Sequence, residues 1–514
     1  MKKIPVALRR TTLVLVLIVL VRIYFGECVG FYFVCDDFAL VERGLWPFPL
    51  LLKYTAGSHW IPAANVFFHA LYCLFGTKYS LWHFVSLALH VLNAYLVMLI
   101  AFRIFRNEFV GILSSIIFLT FSMNYEAVIW ITGLCNLLMT LAYLLTLICF
   151  DGYLRSRRPA LLAATALLML VSLSTLESSI FLIIMLFAWE LLVHNPRDDT
   201  RFLAFLRNLR SNVLKYFLLG ALMVLFLLFR LSILDFTMLA QASVPSLAEI
   251  PVNYARAVAY LVFPYIPALA VEVGRDNIVG VFVALLAVLS FVVRKYRKCR
   301  FPIVAVFIAL TPTLLLSFIQ ARYLYLSSAF SSILFGAAIA GLGDLASRGV
   351  ARAHAAFSRP AYVKLVVVAL LCPPILFMEK QMLERRMQEW RKASEWSIRI
   401  DEFIRERYRS AEDLSDKMLV FVNMPDGVPS VEVWPAYVAR TSMQARVNLL
   451  MGRIMNNVKT YALPADILTA FTASEVFADA PRIDRQTLTA MCSNPSYNVY
   501  TWDPAYERLK EFCR

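Results

Sequence analysis

The chain predicts a polytopic α-helical membrane protein of about eleven spans, with outer-face juxtamembrane helices and a small C-terminal α/β extracytoplasmic domain. Three observations predict it. Of 514 residues, 60% are hydrophobic and only 17% charged, with a mean hydropathy of +0.67, whereas soluble domains run to about 45–50% apolar and about 25% charged. Apolar runs near the ~20 residues needed to cross a hydrocarbon core recur along the chain. After Met378 the composition changes to a charged, helix-periodic and then strand-like pattern. The net charge of +15 sits in short loops between apolar runs, where it sets topology rather than binding nucleic acid.

Taken in order, Lys2, Lys3, Arg9 and Arg10 hold the N-terminus on the cytoplasmic side of an uncleaved first span, about 11–33. That span delivers the loop FYFVCDDFALVERG, with the adjacent carboxylates Asp36 and Asp37, followed by the aromatic, proline-rich WPFPLLLKYTAGSHWIP. Residues 61–80 are amphipathic and are expected to lie along the outer surface. Spans then follow at about 81–102, 109–122, 128–150, 159–175, 178–194 and 215–233, the basic clusters between them marking the inside. Residues 254–272 are apolar enough to cross, but Pro264 and Pro267 interrupt them. Crossing would also push Arg294, Lys295, Arg297, Lys298 and Arg300 outside. The segment is therefore expected to be re-entrant or to lie along the outer face, with the remaining spans at about 276–293, 301–319, 324–343 and 361–378. This divides the chain into a membrane domain, 1–378, and an outward domain, 379–514.

In the second domain, EKQMLERRMQEWRKASEWSIRIDEFIRERYR places Trp390, Trp396, Ile400 and Phe403 at helical spacing. KMLVFVNMPDGVP reads as a strand entering a turn, and NVYTWDP as another extended run. Nine cysteines show no C-x-x-C pair and no histidine cluster, so no zinc site is legible. Cys28 with Cys35, and Cys492 with Cys513, would share the outward side, and spacing alone decides neither pairing.

Charges within or at the ends of spans are costly and therefore informative. They are Arg22, Glu27, Glu126, Glu177, Glu190, Arg230, Asp235 and Arg256. Topology gathers most of them on the outer half with Asp36 and Asp37; Glu190 falls at a solvated inner end, and Arg22 and Glu27 can pair with each other or with neighbours. Glu126 heads the fourth span, where a carboxylate also complements the helix dipole. In FIQARYLYLSS, Arg322 is the single base of an apolar neighbourhood, flanked by Tyr323 and Tyr325. A guanidinium there can hold a phosphate by two parallel bonds, or simply snorkel to the interface. His59, His69, His83 and His90 read as packing or surface residues, His90 making a polar contact with Asn93.

Four blocks resemble the GT-C class of polyprenyl-phosphate-sugar-dependent glycosyltransferases, specifically bacterial relatives of the transmembrane-and-tetratricopeptide-repeat O-mannosyltransferases. They are VCDDFALV, the stretch IPAANVFFHALYCLFGTKYSLWHFVSLALHVLNAYLV, NYEAVIWITGLCNLL with the later STLESS, and ARYLYLSS. They span residues 30 to 335 in consistent order. Ala321 stands where the family usually has glutamate, Ser327 where proline is common, and HWI where an arginine is expected before Pro62. No tetratricopeptide array follows the membrane part.

The resemblance implies sugar transfer at the outer face of a bacterial inner membrane, from a polyprenyl-phosphate-sugar donor to a protein, lipid or glycan acceptor, with inversion. It implies Asp36 or Asp37, with Asp37 slightly favoured, as catalytic base, and Arg322 with Tyr323 or Tyr325 as the donor-phosphate site. Glu126, Glu177 and Asp235 would shape the pocket or hold a cation; a magnesium or manganese ion could bridge the acidic pair, though two carboxylates do not establish one. Two other classes stay open. A transporter or flippase would be marked by inverted repeats or paired broken helices, and neither is legible. A non-catalytic envelope scaffold would leave Asp36, Asp37 and Arg322 apart in space.

Overall fold

The computed structural model describes residues 6–56, 59–194, 201–233, 249–262, 296–315, 319–353, 360–414, 416–428, 436–439, 442–462, 481–503 and 506–513. Among them, seven helices are long and apolar enough to cross a membrane: Leu8–Gly30, Tyr79–Phe105, Ile131–Ser156, Glu177–His194, Val213–Ile233, Ala321–Val350 and Leu365–Arg407. An eighth results if Glu108–Thr120 and Ser122–Ile129, bent by 56°, form one broken span. The chain is thus an integral membrane protein with seven or eight candidate spans among the described residues, and the expected count of about eleven is not confirmed. Pro159–Thr175 is apolar but short. The stretch expected at 301–319 is a helix of 11 residues, Arg300–Leu310, that tightens at Thr311–Leu315 around Pro312. Residues 276–293, Asp235, Pro264 and Pro267 lie outside the described residues.

The bundle is built around Tyr79–Phe105, which packs against Glu108–Thr120 and Leu134–Ser156. Tyr325–Ala353 closes on Glu108–Thr120 and on Pro360–Arg407. Trp82, Trp130 and Trp189 are fully buried inside it. By contrast, Val213–Ile233 exposes Leu214, Phe217, Leu225, Leu228 and Phe229, the surface a lipid-facing helix presents. Helix ends follow local rules: Asn107 caps its helix by accepting from the Phe109 amide at 3.0 Å, and proline opens Pro62–Phe75 and Pro159–Thr175.

The broken span finds its missing partners elsewhere in the bundle. At Phe121 the helix stops, and the Ser122 amide donates to the Glu379 carboxylate at 2.7 Å. Asn124 donates to the Phe118 carbonyl at 2.8 Å and accepts from Ser328 at 2.9 Å. Side chains thereby satisfy the interrupted backbone, as a buried helix break requires. The chain then turns through Tyr125–Ile129 and Ile131–Gly133 before the long helix Leu134–Ser156.

At the far end of that helix, buried Asp151 accepts from Arg155 at 2.8 and 3.1 Å and from the Trp189 indole at 3.1 Å, with Arg103 at 3.3 Å. Glu190, expected to be solvated, is instead buried against Lys215 and Tyr216, each at 2.5 Å. A carboxylate removed from water needs partners, and the following helix supplies both.

Helix Pro360–Arg407 runs 48 residues without interruption, so the change of composition at 378–379 falls inside one helix. Its second half buries Trp390, Trp396 and Ile400 as the spacing predicted, and Phe403 meets Tyr500 with ring centres 5.2 Å apart. A hairpin of β1, Thr55–Ala56, and β2, His59–Trp60, belongs to the first loop. The C-terminal sheet comprises β3, Met418–Val422, β4, Val458–Tyr461, β5, Tyr497–Asp503, and β6, Arg508–Glu511. Its order is β4-β3-β5-β6, with β3 parallel to β4 and β5, and β6 antiparallel to β5. Cys492 and Cys513 form a disulfide. Cys28 and Cys35 are separate buried thiols, which corrects that possible pairing.

Gly133 ends the turn after the broken span, and a β-carbon there would meet the Ala127 carbonyl inside any allowed contact. Gly133→Ala should therefore reshape the turn and lower stability by about 1–3 kcal/mol, read as a lower thermal midpoint of the detergent-solubilised protein.

Candidate functional site

The first loop and the Arg322 block meet across the turn 125–133. Cys35 adopts a left-handed backbone, φ 45°, which turns the chain into the short helix Asp37–Val41. A non-glycine residue is strained there by roughly 1–3 kcal/mol and persists only where its surroundings hold it. Here the Cys35 amide donates to the Val438 carbonyl at 2.9 Å, and the Asp37 amide to the Val34 carbonyl at 3.0 Å.

Asp37 is 1% exposed. One carboxylate oxygen accepts from the Val34 amide at 3.0 Å; the other accepts from the Thr132 amide and hydroxyl, both at 2.8 Å. Burial, opposed by these bonds and assisted by the Asp36 charge, pushes its pKa up to about 7. Asp36, one residue earlier, is half-buried, and among the described residues its carboxylate accepts a long contact from the Cys35 thiol, 3.5 Å. The two carboxylates thus differ: Asp37 is sealed, and Asp36 faces the open side.

On the other side of the turn, Glu126 is buried and holds Arg322 twice. It accepts from the Arg322 amide at 3.0 Å and pairs with the Arg322 guanidinium. The guanidinium lies between two rings, 4.7 Å from the centre of Trp130 and 4.9 Å from that of Tyr323. Its second terminal nitrogen reaches the Tyr323 hydroxyl at 3.4 Å. Trp130 joins the halves, because its indole also faces the Val34 carbonyl at 3.5 Å and its rings pack on Trp390 and Tyr437. Arg322 lies within electrostatic reach of Asp36 and of Tyr437.

Tyr325 does not belong to this group. It is fully buried in the bundle, its hydroxyl engaged by His90 at 2.7 Å and Asn93 at 3.2 Å. Two residues along the helix, its side chain leaves the face Tyr323 occupies, so its assignment to the donor phosphate is corrected. His90 and Asn93 do make the expected interhelical polar contact, with Tyr325 as their shared partner.

Glu177 stands beside the site in its own cluster, 3.2 Å from His59 and 2.5 Å from Arg230. Its carboxylate raises the pKa of the His59 imidazole, which also feels Arg322. Glu27 pairs with Arg391 rather than Arg22. Asp235 lies outside the described residues. Among the described residues, no three of His, Cys, Asp and Glu are grouped to hold a metal ion. Both oxygens of Asp37 accept hydrogen bonds from the turn, so the more exposed carboxylate of the pair is that of Asp36.

Sequence reasoning missed Thr132, Trp130, Tyr437 and Arg43. Thr132 and Trp130 lie within the NYEAVIWITG block, where the acidic residue drew attention and its neighbours carried no charge signal. Arg43 is buried beside Asn65, with its guanidinium 5.5 Å from the Tyr54 ring; a charge amid aromatic residues was the signal available. Tyr437 comes from the C-terminal domain, and no local pattern marks it.

The raised pKa of Asp37 gives a pH signature. Its folded-state value lies above that of the unfolded chain, so the native state binds the proton more tightly. That contribution is complete at low pH and is lost as pH rises through about 7. The thermal midpoint should fall between pH ~4 and ~7, and Asp37→Asn, which cannot ionise, should flatten that part of the profile.

No protein-family model and no curated protein matches the chain. Among solved structures it is similar to the archaeal oligosaccharyltransferase AglB from Archaeoglobus fulgidus in complex with an inhibitory peptide and a dolichol-phosphate, at 11% identity and TM-score 0.48, covering 87% of this chain and 64% of that one. It is also similar to the Archaeoglobus fulgidus oligosaccharyltransferase tethered with an acceptor peptide, at 12% identity, TM-score 0.48 and coverage of 86% and 63%. The apo form gives 11%, 0.48, and coverage of 80% and 62%. The chain thus spans less than two thirds of the length of these structures, and a likeness at this level transfers no activity, substrate or partner to it.

Proposed function

We propose that the chain is a GT-C-type glycosyltransferase that moves a sugar from a polyprenyl-phosphate-linked donor to an acceptor at the outer face of a bacterial inner membrane. One observation carries the reading: the acidic loop and the Arg322 block, 285 positions apart between Asp37 and Arg322, meet on one short turn that clamps both. A scaffold would not need these groups together, and a translocation path would need them spread toward the midplane.

Asp36 is the general base in this reading. A pKa near 7 would suit Asp37 for that role, but both its oxygens are occupied, and access decides. Asp37 instead fixes the turn on which Asp36 stands. The Asp36 carboxylate takes the proton from an acceptor hydroxyl or amide as its oxygen or nitrogen attacks the anomeric carbon. The new bond to that carbon forms as the bond to the phosphate oxygen breaks, the configuration inverts, and the lipid phosphate leaves with the electron pair. Arg322, oriented by Glu126 and flanked by Trp130 and Tyr323, stabilises the charge that develops on that phosphate. Glu126 already offsets much of the Arg322 charge. The acidic loop, with the C-terminal domain docked on it, faces the periplasm.

The test is transfer from a polyprenyl-phosphate-linked sugar by the purified protein in lipid vesicles, with the sugar chosen by profiling glycans and lipid-linked sugars of a deletion strain. Asp36→Asn should lower the rate by about 10²-fold or more, and Arg322→Ala by about 10²–10³-fold. Undiminished transfer by Asp36→Asn would remove the base assignment, and an unchanged glycan profile in the deletion strain would remove the reading as a whole.

A further inference from the structure

We propose that Arg446, carried by the C-terminal domain, is the positioning residue for the Asp36–Asp37 loop. The inference rests on the reading of that loop as catalytic, but its geometry stands independently. Arg446 lies in helix Met443–Met451 and is 0% exposed. One terminal nitrogen donates to the Ser397 carbonyl at 2.9 Å and to Asp401 at 2.8 Å. The other donates to the Ser397 hydroxyl at 2.9 Å and to the Val438 carbonyl at 3.2 Å. Its guanidinium carbon lies 3.9 Å from the centre of the Phe38 ring.

The partners of Arg446 also touch the loop. The Ser397 hydroxyl donates to the Phe33 carbonyl at 2.6 Å, and Asp401 accepts from the Tyr32 hydroxyl at 2.6 Å. The Val438 carbonyl accepts from the Cys35 amide at 2.9 Å, and Phe38 is itself a loop residue. Arg446 thus reaches residues 32, 33, 35 and 38, which bracket Asp36 and Asp37 on both sides, through one intermediary or directly. None of its hydrogen bonds goes to either acid, so it acts on them through the backbone they stand on, including the left-handed turn at Cys35.

The arrangement depends on a planar fork of donors. A lysine ammonium is a point charge on a flexible stem and cannot address a carboxylate, a hydroxyl and two carbonyls while stacking on a ring. A purely structural arginine would need only Ser397 and Asp401, which lie on the helix beneath it. The Val438 and Phe38 contacts reach beyond that helix and tie the guanidinium to the loop, directly at Phe38 and through the Val438 carbonyl at Cys35.

The test uses the full chain in lipid nanodiscs with two variants. Arg446→Lys breaks the fork. Tyr32→Phe leaves Arg446, Ser397 and Asp401 intact and removes only one link to the loop. The first readout needs no activity: the rate at which a maleimide alkylates buried Cys35, with buried Cys135 as internal control and the Cys492–Cys513 disulfide as the marker of a folded domain. Arg446→Lys should speed labelling of Cys35 by about tenfold, and Tyr32→Phe by a smaller factor, with Cys135 and the disulfide unchanged. In the transfer assay, Arg446→Lys should lower kcat about 10- to 100-fold while donor KM stays within about twofold. Unchanged protection of Cys35 in both variants overturns the proposal, as does faster labelling of Cys35 and Cys135 together with loss of the disulfide. If the wild-type chain transfers no sugar yet Arg446→Lys unmasks Cys35 alone, the glycosyltransferase reading fails and the positioning role stands.

Discussion

Everything at the candidate site depends on how a single turn accommodates buried charge. Segment 125–133 offers a carboxylate at one end, Glu126, and an amide and hydroxyl at the other, Thr132. The first immobilises Arg322 and the second immobilises Asp37. Charges removed from water are tolerated only with such partners, so the turn fixes the separation and orientation of both halves at once. Trp130 between them gives Arg322 a ring face and brings in Tyr437 from the C-terminal domain.

The turn follows the 56° bend between Glu108–Thr120 and Ser122–Ile129. The free backbone groups at Phe121–Asn124 are met by Glu379 and by Asn124 itself, and Glu379 sits on the same long helix whose later turns hold Tyr32 and Phe33. Helix Pro360–Arg407 therefore braces the site twice, first under the broken span and then under the acidic loop. The C-terminal domain is built onto its end and docks back over the loop through Arg446. The helical bundle and the C-terminal part share one structural unit at this point, although their compositions differ sharply.

Much of the frame was legible in the sequence. Apolar runs located the first and second spans, the helix Ala321–Val350 and the membrane part of Pro360–Arg407, and periodicity found the buried face of its outward half. The count of about eleven is not confirmed: among the described residues, Pro159–Thr175 and Arg300–Leu310 are apolar but shorter than a full span. The acidic pair and Arg322 stood out because charges in apolar surroundings are rare. Tyr325 was misassigned because a residue two positions from Tyr323 looks adjacent in sequence yet points to another face of a helix. Glu190 was read as solvated because its partner, Lys215, comes from the next helix.

The sequence by itself determined a helical membrane protein, an acidic loop after the first apolar helix, a distant arginine block and a small α/β end, because each is a local matter of composition and period. Tertiary structure alone decided that Thr132 seals Asp37 and leaves Asp36 open, that Glu126 serves Arg322, and that Arg446 reaches the loop. Those are contacts between residues tens to hundreds of positions apart. Which partner meets a buried charge follows from the packing of helices and leaves no periodic trace along the chain.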